Sequence, residues 1–345
     1  MKKILKWVGI VLGTSLILLL ILPLIIAIPP LDNIKTIEQL ADPDSRFIVV
    51  EGLKVHYKIQ GGKLEAYPET GLCASCETHC LDFTKQTALI LLHGFGASTF
   101  SWREVIEPLA EDYVVLAYDR PAFGLTERPL MEDWTGPNPY AMEFQDDLLV
   151  KLMDNFNLDQ AVLVGNSMGG TVAFWTALEH PERVRALILV DPAFAITRST
   201  GFQKLLFQLP QVQRLGPWLV RSISKQGDDI LRRAWHDPSK IGEDVYIGYR
   251  KPLQAPNWDI ALWELTMTRS QIDLLTRADE IRVPVLVITG DDDRIVPTQE
   301  TIKAAERIPN AKLVIIKNCG HVPQEECPEA FLEAVNWFLD EMGGK

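Results

Sequence analysis

Residues 162–170 read Val-Leu-Val-Gly-Asn-Ser-Met-Gly-Gly, a β-branched apolar strand running straight into a serine flanked by glycines, with a helix-like segment behind it. Gly165-x-Ser167-x-Gly169 is the pattern of a strand-to-helix turn so tight that the serine is driven to positive φ. Small residues two before and two after let strand and helix pass each other. Such a turn holds the hydroxyl at the carboxyl end of a sheet, above a helix N-terminus. A serine hydroxyl is a weak nucleophile near neutral pH. The rest of the chain is therefore expected to supply an imidazole base, a carboxylate to orient it, and donors for an oxyanion.

Two later strands carry those groups in the order serine, acid, histidine. The apolar run Val283 to Gly290 reads as a buried parallel strand and ends in Asp291-Asp292-Asp293-Arg294-Ile295-Val296-Pro297. The strand Leu313 to Ile316 is followed by Asn318-Cys319-Gly320-His321. Asp191, after the strand Ala186 to Val190, is an alternative acid, but before Pro192 it reads better as a turn cap.

With these residues in place the chain resembles the capped branch of the α/β-hydrolase fold: esterases, epoxide hydrolases and C–C hydrolases. The resemblance spans about residues 46 to 342. It rests on His93-Gly94-Phe95-Gly96, Asp119-Arg120-Pro121-Ala122-Phe123-Gly124, the serine turn, Gly290-x-x-Asp293-x-x-Val296-Pro297, and Gly320-His321. It implies a mostly parallel sheet with helices on both faces, Asp293 as the acid, His321 as the base, and backbone N–H groups of Phe95 and Met168 as oxyanion donors. His93 would hold the loop after the strand Ala88 to Leu92, and Gly94 and Gly96 would let that loop approach substrate. Ala122 stands where the family usually has glycine. No metal or organic cofactor is required by this chemistry.

Between Phe194 and Thr276 the strand–helix rhythm lapses. A structureless loop of that length is improbable in a compact domain, so residues 194–276 read as a helical cap between core strands 6 and 7, with the core in residues 46–193 and 277–345. Phe202, Phe207, Trp218, Trp235, Trp258 and Trp263 would fill the cap, and some would roof an apolar pocket. Asn138-Pro139 reads as the start of a helix reaching Phe156, and Met168 to His180 as a helix beneath the serine turn.

The front of the chain carries Lys2, Lys3 and Lys6 and then 22 uncharged residues from Trp7 to Ile28. As a helix that run measures about 33 Å. Residues 1–30 are expected to form an uncleaved single-pass anchor in preference to a cleavable signal peptide, with residues 31–45 as a linker. The lysines would place the N-terminus in the cytoplasm and the hydrolase domain across the membrane. A net charge of −12 argues against a nucleic-acid partner.

An insertion at residues 61–86 carries Cys73, Cys76, His79 and Cys80, a spacing open to a disulfide, a metal site or free thiols. It feeds the start of a strand, away from the catalytic ends. Cys319 and Cys327 read as ordinary buried or near-surface cysteines.

The expected reaction is hydrolysis of a small hydrophobic ester. Epoxide hydrolases and haloalkane dehalogenases of this fold use aspartate at position 167, so both are set aside. The C–C hydrolases of ring-cleavage diketone acids often share Gly-Asn-Ser-Met-Gly-Gly and are the alternative. They tend, however, to carry a Gly-Pro-Gly-type loop and a tryptophan after the histidine, where this chain has Phe95-Gly96-Ala97 and Val322. A ligand-binding receptor or scaffold that keeps the fold without turnover is the reading of another class.

Overall fold

The sheet begins with a hairpin. β1 (Arg46–Val50) and β2 (Leu53–Gln60) pair antiparallel across Glu51 and Gly52, which take φ of 50° and 83°. Positive φ at both turn residues matches the right-handed twist of the flanking strands. The structure, a computed structural model, describes residues 2–61, 87–194, 205–268 and 273–343. Cys73, Cys76, His79, Cys80 and Phe202 lie outside the described residues.

The remaining strands among the described residues are β3 (Ala88–Leu92), β4 (Val114–Tyr118), β5 (Ala161–Asn166), β6 (Val184–Val190), β7 (Val285–Gly290) and β8 (Lys312–Ile316). The eight strands run in the order β1-β2-β4-β3-β5-β6-β7-β8, and β3 to β8 are mutually parallel. β3, β4, β5 and β7 are buried at every position. That requires cover on both faces, and the side chains divide by strand alternation. Ile90 and Leu92 join the core against Phe144, Leu148, Leu152 and Phe174, whereas Leu89 and Leu91 join a second core with Trp102, Phe331 and Phe338.

Among the described residues the helices are α1 (Lys2–Ile25), α2 (Ile37–Leu40), α3 (Ile106–Ala110), α4 (Met142–Asn155), α5 (Met168–Glu179), α6 (Pro210–Ala234), α7 (Glu243–Arg250), α8 (Trp258–Met267), α9 (Thr298–Arg307), α10 (Pro323–Glu326) and α11 (Pro328–Glu341). α4 starts later than Asn138-Pro139 implies. The Asn138 side chain accepts the N–H of Tyr140 at 2.9 Å, closing a local turn ahead of the helix instead of capping it.

α6, α7 and α8 lie between β6 and β7 in the chain and close over the carboxyl ends of the strands. α6 and α8 approach closely at Gly216, where a Cβ would come 2.1 Å from the Trp263 ring. Trp235, Trp258 and Trp263 are buried, and Trp218 faces outward.

Among the described residues no helix is long and apolar enough to cross a membrane. The single-pass anchor over residues 1–30, the orientation drawn from its lysines and the location across a membrane therefore fall together. α1 begins with Lys2, Lys3 and Lys6 and carries Pro23 near its end. Its exit is tied to α6: Gln211 donates to the Leu20 carbonyl at 2.9 Å, Arg214 to that of Ile26 at 2.9 Å, and Arg221 to that of Pro29 at 2.5 Å.

Candidate active site

Ser167 stands between β5 and α5 at φ 52°, ψ −117°, a strained conformation for a non-glycine residue. Its N–H donates to the Val190 carbonyl of β6 at 2.8 Å, which fixes the turn against the neighbouring strand. The glycines are required by close approach. A Cβ at Gly165 would lie 2.5 Å from the Gly169 carbonyl oxygen, and one at Gly169 would lie 2.0 Å from that of Leu92. The loop after β3 presses on the same turn, because a Cβ at Gly94 would come 2.9 Å from Asn166 Oδ1.

Asp293 follows β7 and His321 follows β8. His321 Nδ1 and Asp293 Oδ2 are 2.7 Å apart, and both side chains are buried. Asp293 Oδ1 accepts the N–H groups of Ile295 at 2.7 Å and Val296 at 3.0 Å. Ser167 and His321 line one cavity of about 220 Å³. In this conformation no hydrogen bond joins the Ser167 hydroxyl to the imidazole among the described residues. Such bonds are often long before substrate binds. Gly94, Phe95 and Gly96 line the cavity beside Ser167, and Met168 opens α5 directly after it.

His93 has no solvent exposure. Its Nδ1 donates to the Gly94 carbonyl at 2.8 Å, and its Nε2 accepts the N–H of Arg120 at 3.0 Å. Burial, with the Arg120 guanidinium close by, pulls its pKa down to about 3. A neutral imidazole thus braces the loop. Arg120 braces it from the other side, donating to the carbonyl of His93 at 3.0 Å and to Gln145 at 2.8 Å. Ala122, in the glycine position of its turn, takes φ 77°.

Several residues at the site were not singled out from the sequence. Asn166 donates through Nδ2 to the His321 carbonyl at 3.0 Å and so ties the serine turn to the histidine loop. Arg128 lines the cavity, is buried, and donates to the carbonyls of Ala122 at 3.2 Å and Gly124 at 2.7 Å. Its remaining terminal nitrogen has no partner and no carboxylate pairs with it, among the described residues. Burial draws its pKa down to about 10, so it stays charged at neutral pH. A lone arginine in a turn gives no signal of this in the sequence.

Two sequence readings change. Cys319 and Cys327, read as ordinary cysteines, form a disulfide with Cα atoms 6.3 Å apart, bracketing His321. The turn after β8 folds back onto the start of α11, which a separation of eight residues does not reveal. Asp191, read as a turn cap, is fully buried beside Asp293 and His321. Ligand atoms of Asp191, Asp293 and His321 all lie within 4.8 Å of one another. Each of the three offers an atom that could ligate a metal. His321 Nδ1 and Asp293 Oδ2, however, already bond each other.

Comparison with known proteins accords with this geometry. Residues 89–334 match the model of the "Alpha/beta hydrolase family". The 2-hydroxy-6-oxo-6-phenylhexa-2,4-dienoate hydrolase of Burkholderia cepacia is 31% identical over 292 residues, covering 79% of this chain and 93% of that one. An uncharacterized hydrolase of Bacillus subtilis, YugF, is 29% identical over 302 residues, covering 87% of this chain and 99% of that one. Among solved structures, a bacterial membrane phospholipase A superposes with a TM-score of 0.63 at 24% identity, covering 100% of both chains, a likeness of fold alone. With a serine held at positive φ after β5, a carboxylate after β7 and an imidazole after β8 on a largely parallel sheet, the chain belongs to the alpha/beta hydrolase family.

Proposed function

We propose that the protein is a serine hydrolase in which Ser167 is the nucleophile, His321 the base and Asp293 the carboxylate that orients it. The N–H groups of Phe95 and Met168 receive the oxyanion. Its substrate is proposed to be an acid with a ketone remote from its carboxylate, cleaved at the C–C bond beside that ketone. Ser167 adds to the ketone carbon and His321 takes its proton. Collapse breaks the C–C bond, and the departing electron pair delocalises through the unsaturated chain towards the carboxylate end. His321 returns the proton to that fragment. Water, deprotonated by His321, then releases the second acid from Ser167.

The observation that carries this reading is Arg128, a buried guanidinium on the cavity wall with no carboxylate paired to it among the described residues. A buried cation that no carboxylate touches, with Asp119 attracting it only from a distance, leaves a place for a second anion, and a substrate carboxylate fits that place. The dienoate named for the Burkholderia cepacia relative carries such a group, and the Gly-Asn-Ser-Met-Gly-Gly turn agrees.

Ester hydrolysis is the second reading. It is favoured by Val322 after the histidine and by walls that are otherwise mostly apolar, including Leu231, Trp258 and Leu262. Such walls suit an acyl chain.

The deciding experiment sets a ring-cleavage diketone acid beside a p-nitrophenyl ester series, with fluorophosphonate labelling of Ser167 as control. Turnover of the diketone acid at the higher kcat/KM is expected. Ester turnover alone assigns the second reading. No labelling, together with equal ligand binding by Ser167→Ala, assigns a receptor in place of an enzyme.

A further inference from the structure

Two carboxyl groups are buried at the acid end of the site, and the mechanism uses one. Asp293 is furnished as an anion: His321 Nδ1–H meets one oxygen at 2.7 Å, and two backbone N–H groups meet the other at 2.7 and 3.0 Å. Both of its oxygens therefore face N–H donors.

Asp191 follows β6, one strand over, at φ 45°, with its N–H donating to the Ile288 carbonyl at 2.9 Å. It has no solvent exposure. Its Oδ1 lies 2.5 Å from the hydroxyl oxygen of Thr289, which in turn lies 3.1 Å from the Gly290 carbonyl. A threonine hydroxyl has one hydrogen. That hydrogen goes to Asp191 Oδ1, the shorter of the two contacts, while the Gly290 carbonyl accepts the Thr298 hydroxyl at 2.7 Å. The other Asp191 oxygen has no partner among the described residues.

Two ionised carboxylates with ligand atoms within 4.8 Å of each other would repel strongly in a site shielded from water. One of the two must hold a proton, and the donors around Asp293 leave Asp191 as the holder. Burial first, and the Asp293 carboxylate second, push the Asp191 carboxyl well above the usual range.

We propose that Asp191 is a protonated positioning residue: its neutral acid leaves Asp293 as the single anion facing His321, and it serves as the reserve orienting carboxylate when Asp293 is lost. The inference rests on the serine-hydrolase reading of the same site. In Asp293→Asn no second carboxylate opposes ionisation of Asp191. Asp191 then gives up its proton to solvent and becomes an acceptor within reach of the imidazole.

The test compares wild type, Asp191→Asn, Asp293→Asn and the double variant by fluorophosphonate labelling rate against pH, a readout independent of the natural substrate. Asparagine is the neutral isostere of the protonated acid, so Asp191→Asn should label within about threefold of wild type with the same acid limb. Asp293→Asn should fall by about a thousandfold or more through loss of the imidazole tautomer. The double variant should fall at least about tenfold further. Difference infrared spectroscopy of wild type against Asp191→Asn at neutral pH should show a carboxylic-acid carbonyl band that the variant lacks, whether or not a substrate is known. The proposal is overturned if Asp191→Asn falls to the level of Asp293→Asn, if the double variant equals Asp293→Asn, or if no such band exists. Wild type that fails to label at all while the band is present overturns the hydrolase reading and, with it, the positioning role, leaving a protonated Asp191 alone.

Discussion

The main-chain N–H of His321 donates to the carbonyl of Ala234, the last residue of α6, at 2.6 Å. The imidazole loop and the cap are thus bonded directly to each other. Glu326 strengthens the junction by accepting the N–H groups of Gly320 on one side and of His236 and Asp237 on the other, each at 2.8 Å. His236 also bonds Asp292, the neighbour of Asp293, at 2.8 Å. Any movement of the end of α6 is therefore felt at both His321 and Asp293.

Removing the shared acceptor should uncouple the two parts. Glu326→Ala leaves three backbone donors without their partner, at a cost on the order of 3 kcal/mol. The variant should melt earlier and label more slowly at Ser167, with kcat affected more than KM. Unchanged melting together with unchanged kcat would show that the junction holds without Glu326.

The disulfide encloses the same histidine. Joining residues eight apart in sequence, Cys319–Cys327 is expected to contribute about 2–3 kcal/mol through restriction of the unfolded chain. Cys319→Ser/Cys327→Ser, or wild type under dithiothreitol, should show a lower unfolding midpoint in urea. A midpoint insensitive to both would mean that the bridge adds nothing to stability.

Arg128 should separate substrates by charge. Arg128→Met keeps the bulk and removes the cation. For a carboxylate-bearing diketone acid, kcat/KM should fall by about tenfold to a hundredfold, corresponding to about 1.5–3 kcal/mol for a charged hydrogen bond. For a neutral ester it should change little. Equal losses on both substrates would assign Arg128 to holding the Gly124 turn.

His93 should make the fold sensitive to acid. Its folded-state pKa of about 3 lies below the ordinary histidine value near 6.5. Between those values the unfolded chain binds a proton that the folded chain refuses, so stability falls as pH drops through that window and the term is absent above it. In His93→Gln the slope of unfolding free energy against pH should be shallower from pH 6.5 downward. Identical slopes in urea titrations would place the acid sensitivity elsewhere.

The sheet was readable before the structure because its signals are local. Apolar runs such as Leu89–Leu92 and Val285–Ile288 mark strands covered on both faces. Each reading that failed depended on a contact that residue type and spacing do not specify. Asn138 was read as a helix cap, but it closes a turn onto Tyr140. The apolar run after Lys6 was read by composition alone, whereas Gln211, Arg214 and Arg221 of α6 bond the chain where α1 ends. Cys319 and Cys327 gave no hint of bonding, because their pairing depends on how the turn after β8 folds back.

The order of strands and helices, the strained serine turn and the positions of Asp293 and His321 after their strands follow from residue spacing. Backbone sterics and side-chain periodicity act between neighbours along the chain. Tertiary packing alone brought Asp191 beside Asp293, left one Arg128 terminal nitrogen without a hydrogen-bond partner and bonded His321 to Ala234. Those relations join residues scores of positions apart, and their energies depend on burial and on the partners within reach. Both are set only when the sheet and cap have closed around them.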